Sequence, residues 1–180
     1  MKWNIDPTHS QAEFSVRHMF TKVRGHMVVV SGTVEADESD PTKTVIIARL
    51  DPSTVNTGVA VRDDHLRSVD FFDVERYPEI VFQSSAISQT AKDRYAVTGM
   101  LSMRGVNRPV TLDAHAGGDD IDPFGNRRAG VSAQTTLNRK DFGLHWNRAL
   151  ESGGLLVGDE VEISLEIEAV LDQAAQNAAA

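Results

Sequence analysis

Apolar and polar residues alternate in short segments over most of the chain. Residues 160–170 show this most clearly, because Val161, Ile163 and Leu165 alternate with glutamate and serine side chains. A period of two is typical of a strand with one buried face and one solvated face. The pattern predicts eight main strands, over residues 12–18, 23–34, 44–50, 80–84, 94–103, 108–116, 130–138 and 160–170.

One segment departs from the alternation. In residues 59–75, positions recur at intervals of three and four, as on one face of a helix, at Val61, His65, Leu66, Val69 and Phe72. An open sheet of eight antiparallel strands would leave two unpaired edges, and closure into a barrel removes both of them. We therefore predict an all-β fold, an eight-stranded antiparallel barrel with one short helical insertion.

The composition agrees with a single β-rich domain. The chain has 20 Val, 8 Ile and 12 Thr, which make 40 of 180 residues with a preference for strands. The length predicts one domain, over residues 1–171, followed by a flexible Ala-rich tail at residues 172–180. The chain lacks cysteine, which excludes disulfides, thiol nucleophiles and thiolate metal sites.

The charge balance narrows the set of partners. There are 18 basic and 26 acidic residues, a net charge of −8, and no Lys/Arg-rich stretch. This argues against a nucleic acid or an anionic membrane as partner. No apolar run approaches the ~20 residues of a transmembrane helix, and residues 1–7 lack the apolar region of a signal peptide. We expect no integral membrane segment and a cytoplasmic location.

Catalytic motifs are missing from the sequence. The six histidines show no metal-ligand spacing, and the chain contains no Gly-x-Ser-x-Gly nucleophile elbow and no Gly-rich phosphate loop. We therefore predict no catalytic residue, no metal site and no required cofactor. His65 and His18 are the candidates for an acid–base group if the protein is an enzyme after all.

Apolar side chains are placed to line the bore of the predicted barrel. At eight strands a bore is either filled by its own side chains or holds one small ligand, and the residues alone leave both alternatives open. The candidates for lining a lipid cavity are Phe14, Val16, Phe71, Phe72, Ile80, Phe82, Leu101, Leu112, Leu137, Phe142, Leu144, Trp146 and Ile163.

Eight sequence motifs, in order over residues 3 to about 170, resemble the YceI-like family. They are Asp6-Pro7-Thr8-His9-Ser10, Phe14-Ser15-Val16-Arg17-His18, Val23-Arg24-Gly25 with Gly32, the stretch from Arg62 through Asp63-Asp64-His65-Leu66-Arg67-Ser68 to Asp70-Phe71-Phe72-Asp73, Tyr77-Pro78 with Phe82, Gly105-Val106-Asn107-Arg108-Pro109-Val110, Asn138-Arg139-Lys140-Asp141-Phe142-Gly143-Leu144, and Val157-Gly158-Asp159-Glu160-Val161.

The resemblance implies an extended, lipocalin-like barrel that binds a long isoprenoid lipid, either a polyprenyl phosphate or pyrophosphate or an isoprenoid quinone. It implies non-enzymatic binding, storage or transport, and many relatives are periplasmic. Two other functions stay open, an enzyme acting on such a lipid and a stress-linked structural protein with a filled barrel. The chain departs from the family at Met27 and Val30, where phenylalanine is common, and at His145, where asparagine is common, which affects the expected tail length and selectivity.

Polar residues near the helical insertion at 59–75, and near a second irregular, Gly-rich segment at 139–158, are the candidates for contacting the lipid head group. They are Arg62, His65, Arg139 and Asp141. Arginine suits a pyrophosphate through paired hydrogen bonds, whereas a quinone needs only one or two donors. We also expect Phe71 and Phe72 to ring the mouth of the barrel and to form an apolar patch that supports a weak homodimer.

Overall fold

The computed structural model describes residues 1–37 and 39–172 of the chain. Most of these residues lie in strands. The elements are β1 (Lys2–Ile5), β2 (Gln11–His18), β3 (Thr21–Glu35), β4 (Val45–Asn56), α1 (Ala60–Arg67), β5 (Ile80–Ala91), β6 (Arg94–Met103), β7 (Val106–Ile121), β8 (Arg127–Asn138) and β9 (Val157–Leu171), with short 3₁₀ turns at Pro41–Lys43 and Arg139–Phe142.

The strands form one closed antiparallel sheet. From β2 the order runs through β9, β8, β7, β6, β5 and β4 to β3, which pairs again with β2. Pairing of β3 with β4, from His26 with Asn56 to Glu35 with Val45, joins the two ends of the sheet. The predicted eight-stranded antiparallel barrel is therefore confirmed.

The described residues contain nine strands in eight barrel positions, because β1 and β2 share one position. Trp3 pairs with Val34 of β3 and Leu171 of β9, and β2 continues between the same two neighbours. Residues 6–10 form a turn that interrupts this position. The prediction from the alternation missed β1, because four residues are too short to show a clear period.

The helix is shorter than predicted. It covers Ala60–Arg67 and ends at Ser68, whose hydroxyl donates to the carbonyl of His65 (2.7 Å). Val61 and Val69, predicted to share one helix face with His65, Leu66 and Phe72, are 81% and 63% exposed, and Val69 lies beyond the end of the helix. The buried residue of the helix is Asp63, which accepts hydrogen bonds from the backbone N–H and hydroxyl of Thr57.

Strands β4 and β5 are longer than predicted, because polar residues at their ends disturb the alternation. Asp51, Pro52 and Ser53 continue β4. The backbone nitrogen of Pro52 has no hydrogen to donate, and a register shift between His26 and Val28 of β3 lets the sheet accommodate it.

Two glycines of β3 allow close approach of neighbouring side chains. A Cβ atom on Gly25 would lie 2.5 Å from the ring of Phe14, and one on Gly32 would lie 2.4 Å from the side chain of Ile5. Both neighbours line the bore. The glycines therefore let large side chains cross the inner surface of β3.

The barrel has two unlike ends. At one end, Trp3 is buried with Ala169 and Leu171 and closes the bore. At the other end lie α1 and the 139–156 segment, and we call this the helix end. In the parts of the chain that the structure describes, no helix is long and apolar enough to span a membrane. The tail predicted at residues 172–180 lies outside the described residues apart from Asp172, whose N–H donates to the carbonyl of Lys2 (2.9 Å).

An arginine ties three chain segments together at the closed end. Arg128 donates to Asp6 (2.7 Å), Asp122 (2.7 Å) and Glu168. The Thr8 hydroxyl and Arg128 hold the pKa of Asp6 well below its usual range, and Arg128 does the same for the pKa of Asp122. The charged pairs fix the 6–10 turn against β9 and the turn between β7 and β8.

This cluster predicts a loss of stability in acid. Because the folded-state pKa of Asp122 lies below its unfolded value of about 3.9, its contribution is complete above that value and is lost as pH falls toward the folded pKa. Asp122→Asn should therefore be less stable than the wild type at pH 7, and the difference should shrink by pH 3. Urea unfolding at both pH values measures this, with the exposed Glu166→Gln as control. A difference that does not change with pH would contradict the assignment.

Candidate functional site

The bore of the barrel is an apolar cavity of about 710 Å³. Inward-facing side chains of β2 to β9 form its wall, and α1 and the 139–156 segment cover it at the helix end. All thirteen side chains predicted to line a cavity lie on this wall. The structure therefore brings together residues that span the chain from Phe14 to Ile163.

Many of the inward-facing side chains are only partly buried, although they point away from bulk solvent. Val16, Leu101, Leu137, Val161 and Leu165 belong to this group. In a filled core such positions would have no accessible surface, because protein interiors are close-packed. The wall is therefore in contact with open space inside the barrel.

The arrangement of the buried residues gives the same result. Within the described residues, the buried apolar side chains form four separate clusters. A packed domain usually has one contiguous core. The largest cluster includes Phe71, Phe82, Phe142 and Leu144. Partly buried wall residues such as Leu101 and Leu165, rather than fully buried ones, join it to its neighbours.

More than half of the wall residues were not predicted from the sequence. These residues lie on strand positions whose side chains alternate toward the bore, so the period-two pattern was the signal that could have found them. They include Ile5, Ala12, Met27, Val29, Val34, Ile46, Ala48, Leu50, Val97, Met103, Val110, Ala114, Val131, Ala133, Val161, Leu165 and Ile167.

Three of the four predicted head-group residues reach the cavity. Arg62 and His65 line it from α1, and Arg139 lines it from the start of the 139–156 segment. Asp141 does not line it. The 3₁₀ turn at Arg139–Phe142 directs Arg139 and Phe142 inward and leaves Asp141 exposed, where its carbonyl accepts a hydrogen bond from Arg108 (3.2 Å).

His65 lies in an aromatic pocket at the helix end. Its ring meets Phe71 and Trp146 edge-on, with centroid distances of 5.1 and 4.6 Å. Nε2 lies 2.8 Å from a carboxylate oxygen of Asp70. The carboxylate orients the imidazole, so His65 presents a fixed polar group beside apolar rings.

Both arginines at the cavity already have hydrogen-bond partners in the protein. Arg62 donates to the hydroxyl (2.7 Å) and the carbonyl (3.1 Å) of Thr57. Arg139 is 5% exposed and donates to the carbonyls of Gly158 (2.8 Å), Leu144 (2.6 Å) and Trp146 (2.9 Å). Burial lowers the pKa of Arg139, and nearby Asp159 opposes this effect.

The apolar patch predicted from Phe71 and Phe72 is not exposed. Phe71 is 8% exposed, and both rings face the cavity because the chain turns inward after Ser68. Val59 and Val61 lie on the cavity wall and are also exposed to solvent, at 47% and 81%. The cavity therefore opens to the surface beside the beginning of α1. The predicted homodimer loses this physical basis and stays a prediction.

Two other polar features are a cluster at the closed end and a second concavity that shares Phe14, Leu112 and Ile163 with the cavity wall. Asp6, His9 and Glu168 bring three potential metal ligands within 4.8 Å, but the Arg128 guanidinium already pairs with both carboxylates. The second concavity, of about 1170 Å³, is lined by many polar side chains, including Glu13, Gln134 and Glu162. Such a lining does not suit a hydrocarbon, whereas the inner cavity does.

Comparison with known proteins gives concordant results. The model of the YceI-like domain matches residues 3–169, the span over which the sequence motifs predicted it. The UPF0312 protein SAS2572 of Staphylococcus aureus (strain MSSA476) is 32% identical over 168 residues, which cover 92% of this chain and 95% of that protein.

Solved structures show the same fold. BcnA of Burkholderia cenocepacia matches with a TM-score of 0.78 at 21% identity, over 91% of this chain and 98% of that one. A polyisoprenoid binding domain from Saccharophagus degradans matches with a TM-score of 0.66 at 14% identity, over 93% and 97%.

The hydrogen bonds of Arg139 predict that it holds the 139–156 segment over the bore. Arg139→Met should lower the free energy of unfolding by about 1.5–3 kcal/mol, because it removes charged hydrogen bonds and leaves buried carbonyls without a donor. Chemical denaturation measures the change. Arg148→Met is the control, since Arg148 is exposed in the same segment and stacks over Trp146 at 6.0 Å. Equal effects of the two substitutions would contradict the anchoring role.

Proposed function

The chain belongs to the YceI-like domain family, and on that premise we propose that it binds the hydrocarbon chain of a long isoprenoid lipid in its barrel, to store or carry it without catalysing a reaction. The observation that carries the proposal is the apolar wall that stays partly accessible along the bore. The description of the Saccharophagus degradans neighbour names a polyisoprenoid as the ligand of that protein, which supports the same ligand class here.

Burial of hydrocarbon supplies the binding energy. Removing an alkyl chain from water contributes roughly 0.8 kcal/mol per CH₂ group. The volume of about 710 Å³ lies within the range of about 300–1,000 Å³ that is usual for ligand cavities. The lipid is itself the ligand, so the barrel requires no further cofactor.

The polar groups at the helix end favour a head group of low charge. A pyrophosphate is best bound by several arginines with free pairs of N–H donors, but Arg139 already donates to three carbonyls, and Arg62 uses Nε and Nη2 for Thr57, so that its Nη1 is the group available to a ligand. His65 and Arg62 are the polar groups that face the open part of the cavity near its mouth. We therefore assign them to the head group and favour an isoprenoid quinone over a phosphorylated prenyl chain.

The proposal predicts that the protein purifies with an isoprenoid lipid and loses it when the bore is narrowed. Organic extraction followed by mass spectrometry identifies the lipid. Ile163→Trp adds volume at a partly buried inward position of β9, so it should shorten or exclude the tail while the delipidated protein keeps its melting temperature.

The matched control is Ser164→Trp, on the next residue of β9, which is exposed on the outer face. This variant should keep the lipid. In a filled barrel, Ile163→Trp would instead cost about 1–3 kcal/mol through overpacking. If Ile163→Trp loses this much stability and the wild-type extract contains no isoprenoid, the result would support a structural protein with a filled barrel. It would reject the proposal.

The second candidate function is an enzyme, and the observation that favours it is the contact of His65 with Asp70. For a binding protein, His65→Gln should retain the lipid and weaken its binding by tenfold at most, because one hydrogen bond contributes about 0.5–1.5 kcal/mol. Retention of radiolabelled isoprenoid quinone measures this, with His145→Gln as an exposed control at the same end. If the wild type converts the quinone or its quinol, and His65→Gln or His18→Gln abolishes this conversion, the protein is an enzyme instead.

A further inference from the structure

Apart from Val69, which follows α1, five exposed apolar side chains lie at the helix end of the barrel. They belong to three segments: Met19 and Phe20 in the turn between β2 and β3, Val59 and Val61 at the beginning of α1, and Leu155 in the 139–156 segment. We call them the apolar rim. Phe20 is 89% exposed and Val61 is 81% exposed, so these side chains contribute little to packing in the protein itself.

The structure places the three segments around the cavity opening. The backbone N–H of Met19 donates to the carbonyl of Leu156 (2.9 Å), and His26 of β3 pairs with Asn56 just before α1. His18, Leu156 and Val61 all lie on the cavity wall. A lipid that passes between Val61 and Leu156 therefore passes the apolar rim.

The turn that carries Phe20 is unfavourable for folding. A two-residue turn joins β2 to β3, and Met19 adopts a left-handed conformation with φ of 51°. Glycine, asparagine and aspartate are preferred at such positions. In the two-residue turn between β6 and β7, Arg104 holds the same first position with φ of 51°, and Gly105 follows it. The turn of Met19 and Phe20 has no glycine, and both of its side chains are exposed, which points to a role outside packing.

Positive charge flanks the turn. Residues 17–24 contain Arg17, Lys22 and Arg24 and no carboxylate, in a chain whose net charge is −8. Lys22 pairs with Glu162 on β9 (2.6 Å), whereas Arg17 and Arg24 are exposed. The overall charge, which argued against an anionic membrane, hides this local excess of cations. The other two rim segments carry exposed carboxylates, Asp64 on α1 and Glu151 in the 139–156 segment, so the cationic face is that of the turn with Met19 and Phe20.

We propose that the apolar rim docks the protein on an anionic lipid surface, with Phe20 inserted between head groups, so that an isoprenoid chain moves between bilayer and bore without crossing water. The purpose of this contact rests on the proposed function. Apolar side chains inserted at the interface and flanking cations that meet anionic lipids are the two contributions that hold peripheral proteins on membranes. Exposure of the alkyl chain to water, at roughly 0.8 kcal/mol per CH₂, makes a direct contact the favourable route.

Vesicle flotation tests the docking. The full chain should float with vesicles of phosphatidylglycerol and phosphatidylcholine more than with phosphatidylcholine alone, and less as salt is raised. Phe20→Ser should weaken the association about tenfold or more, because it removes one large apolar side chain from the interface. Arg17→Gln and Arg24→Gln should each weaken it about fivefold on the anionic vesicles only.

The matched control is Phe124→Ser. Phe124 is 88% exposed in the turn between β7 and β8, at the closed end of the barrel. This variant should float as the wild type does. Equal losses in the two variants, or no flotation of the wild type, would overturn the docking. If the wild type does not float but sediments as a dimer, and Phe20→Ser dissociates that dimer, the apolar rim contacts a second copy of the chain instead.

Lipid content and transfer separate this proposal from the proposed function. Phe20→Ser should keep any co-purified isoprenoid, since Phe20 does not line the cavity, but it should slow transfer of that lipid from vesicles. If flotation depends on Phe20 but the extract contains no isoprenoid, the docking is supported and the proposed isoprenoid ligand is rejected. If the extract contains an isoprenoid, but Phe20→Ser and Phe124→Ser float and transfer lipid equally well, only the docking is rejected.

Discussion

Antiparallel pairing of β3 with β4 gives every strand of the barrel a hydrogen-bonded neighbour on both sides. Since side chains alternate strictly along a strand, closure commits one face of each strand to the interior, and a slip of one residue would reverse every side chain. Register shifts on β3, after His26 and after Val29, adjust the pairing at the closure. The apolar wall and the solvated exterior both follow from this pairing.

Arginine side chains hold the segments that the sheet does not position. Arg67 donates to the carbonyls of Ser53 (2.7 Å) and Val55 (3.0 Å) and fastens α1 to β4. Arg139 fastens the 139–156 segment to Gly158 at the start of β9. These bonds are directional and join residues distant in sequence, so the covering of the bore has a defined shape and leaves a defined opening beside α1.

The sequence predicted the parts of this molecule that depend on local periodicity. Alternation was sufficient to place the eight barrel positions and the eight predicted wall residues that lie in strands, because the inward or outward direction of a strand residue follows from its neighbours. It was not sufficient for Asp63, which is buried because Thr57 donates to it, or for Arg139, whose acceptors lie in another segment. Such contacts depend on tertiary structure and leave no local pattern. The end of α1 at Ser68 was missed for the same reason.

The position of the opening follows from the lengths of the connections. At the closed end, β5 and β6 are joined by a two-residue turn, and Trp3 fills the space between β3 and β9. At the helix end, the chain crosses the bore twice, in residues 57–79 and 139–156. Longer connections can cover a bore without filling it, and they leave a gap where they meet the short turn of Met19 and Phe20. The opening of the cavity thus lies where two long connections face one tight, apolar turn.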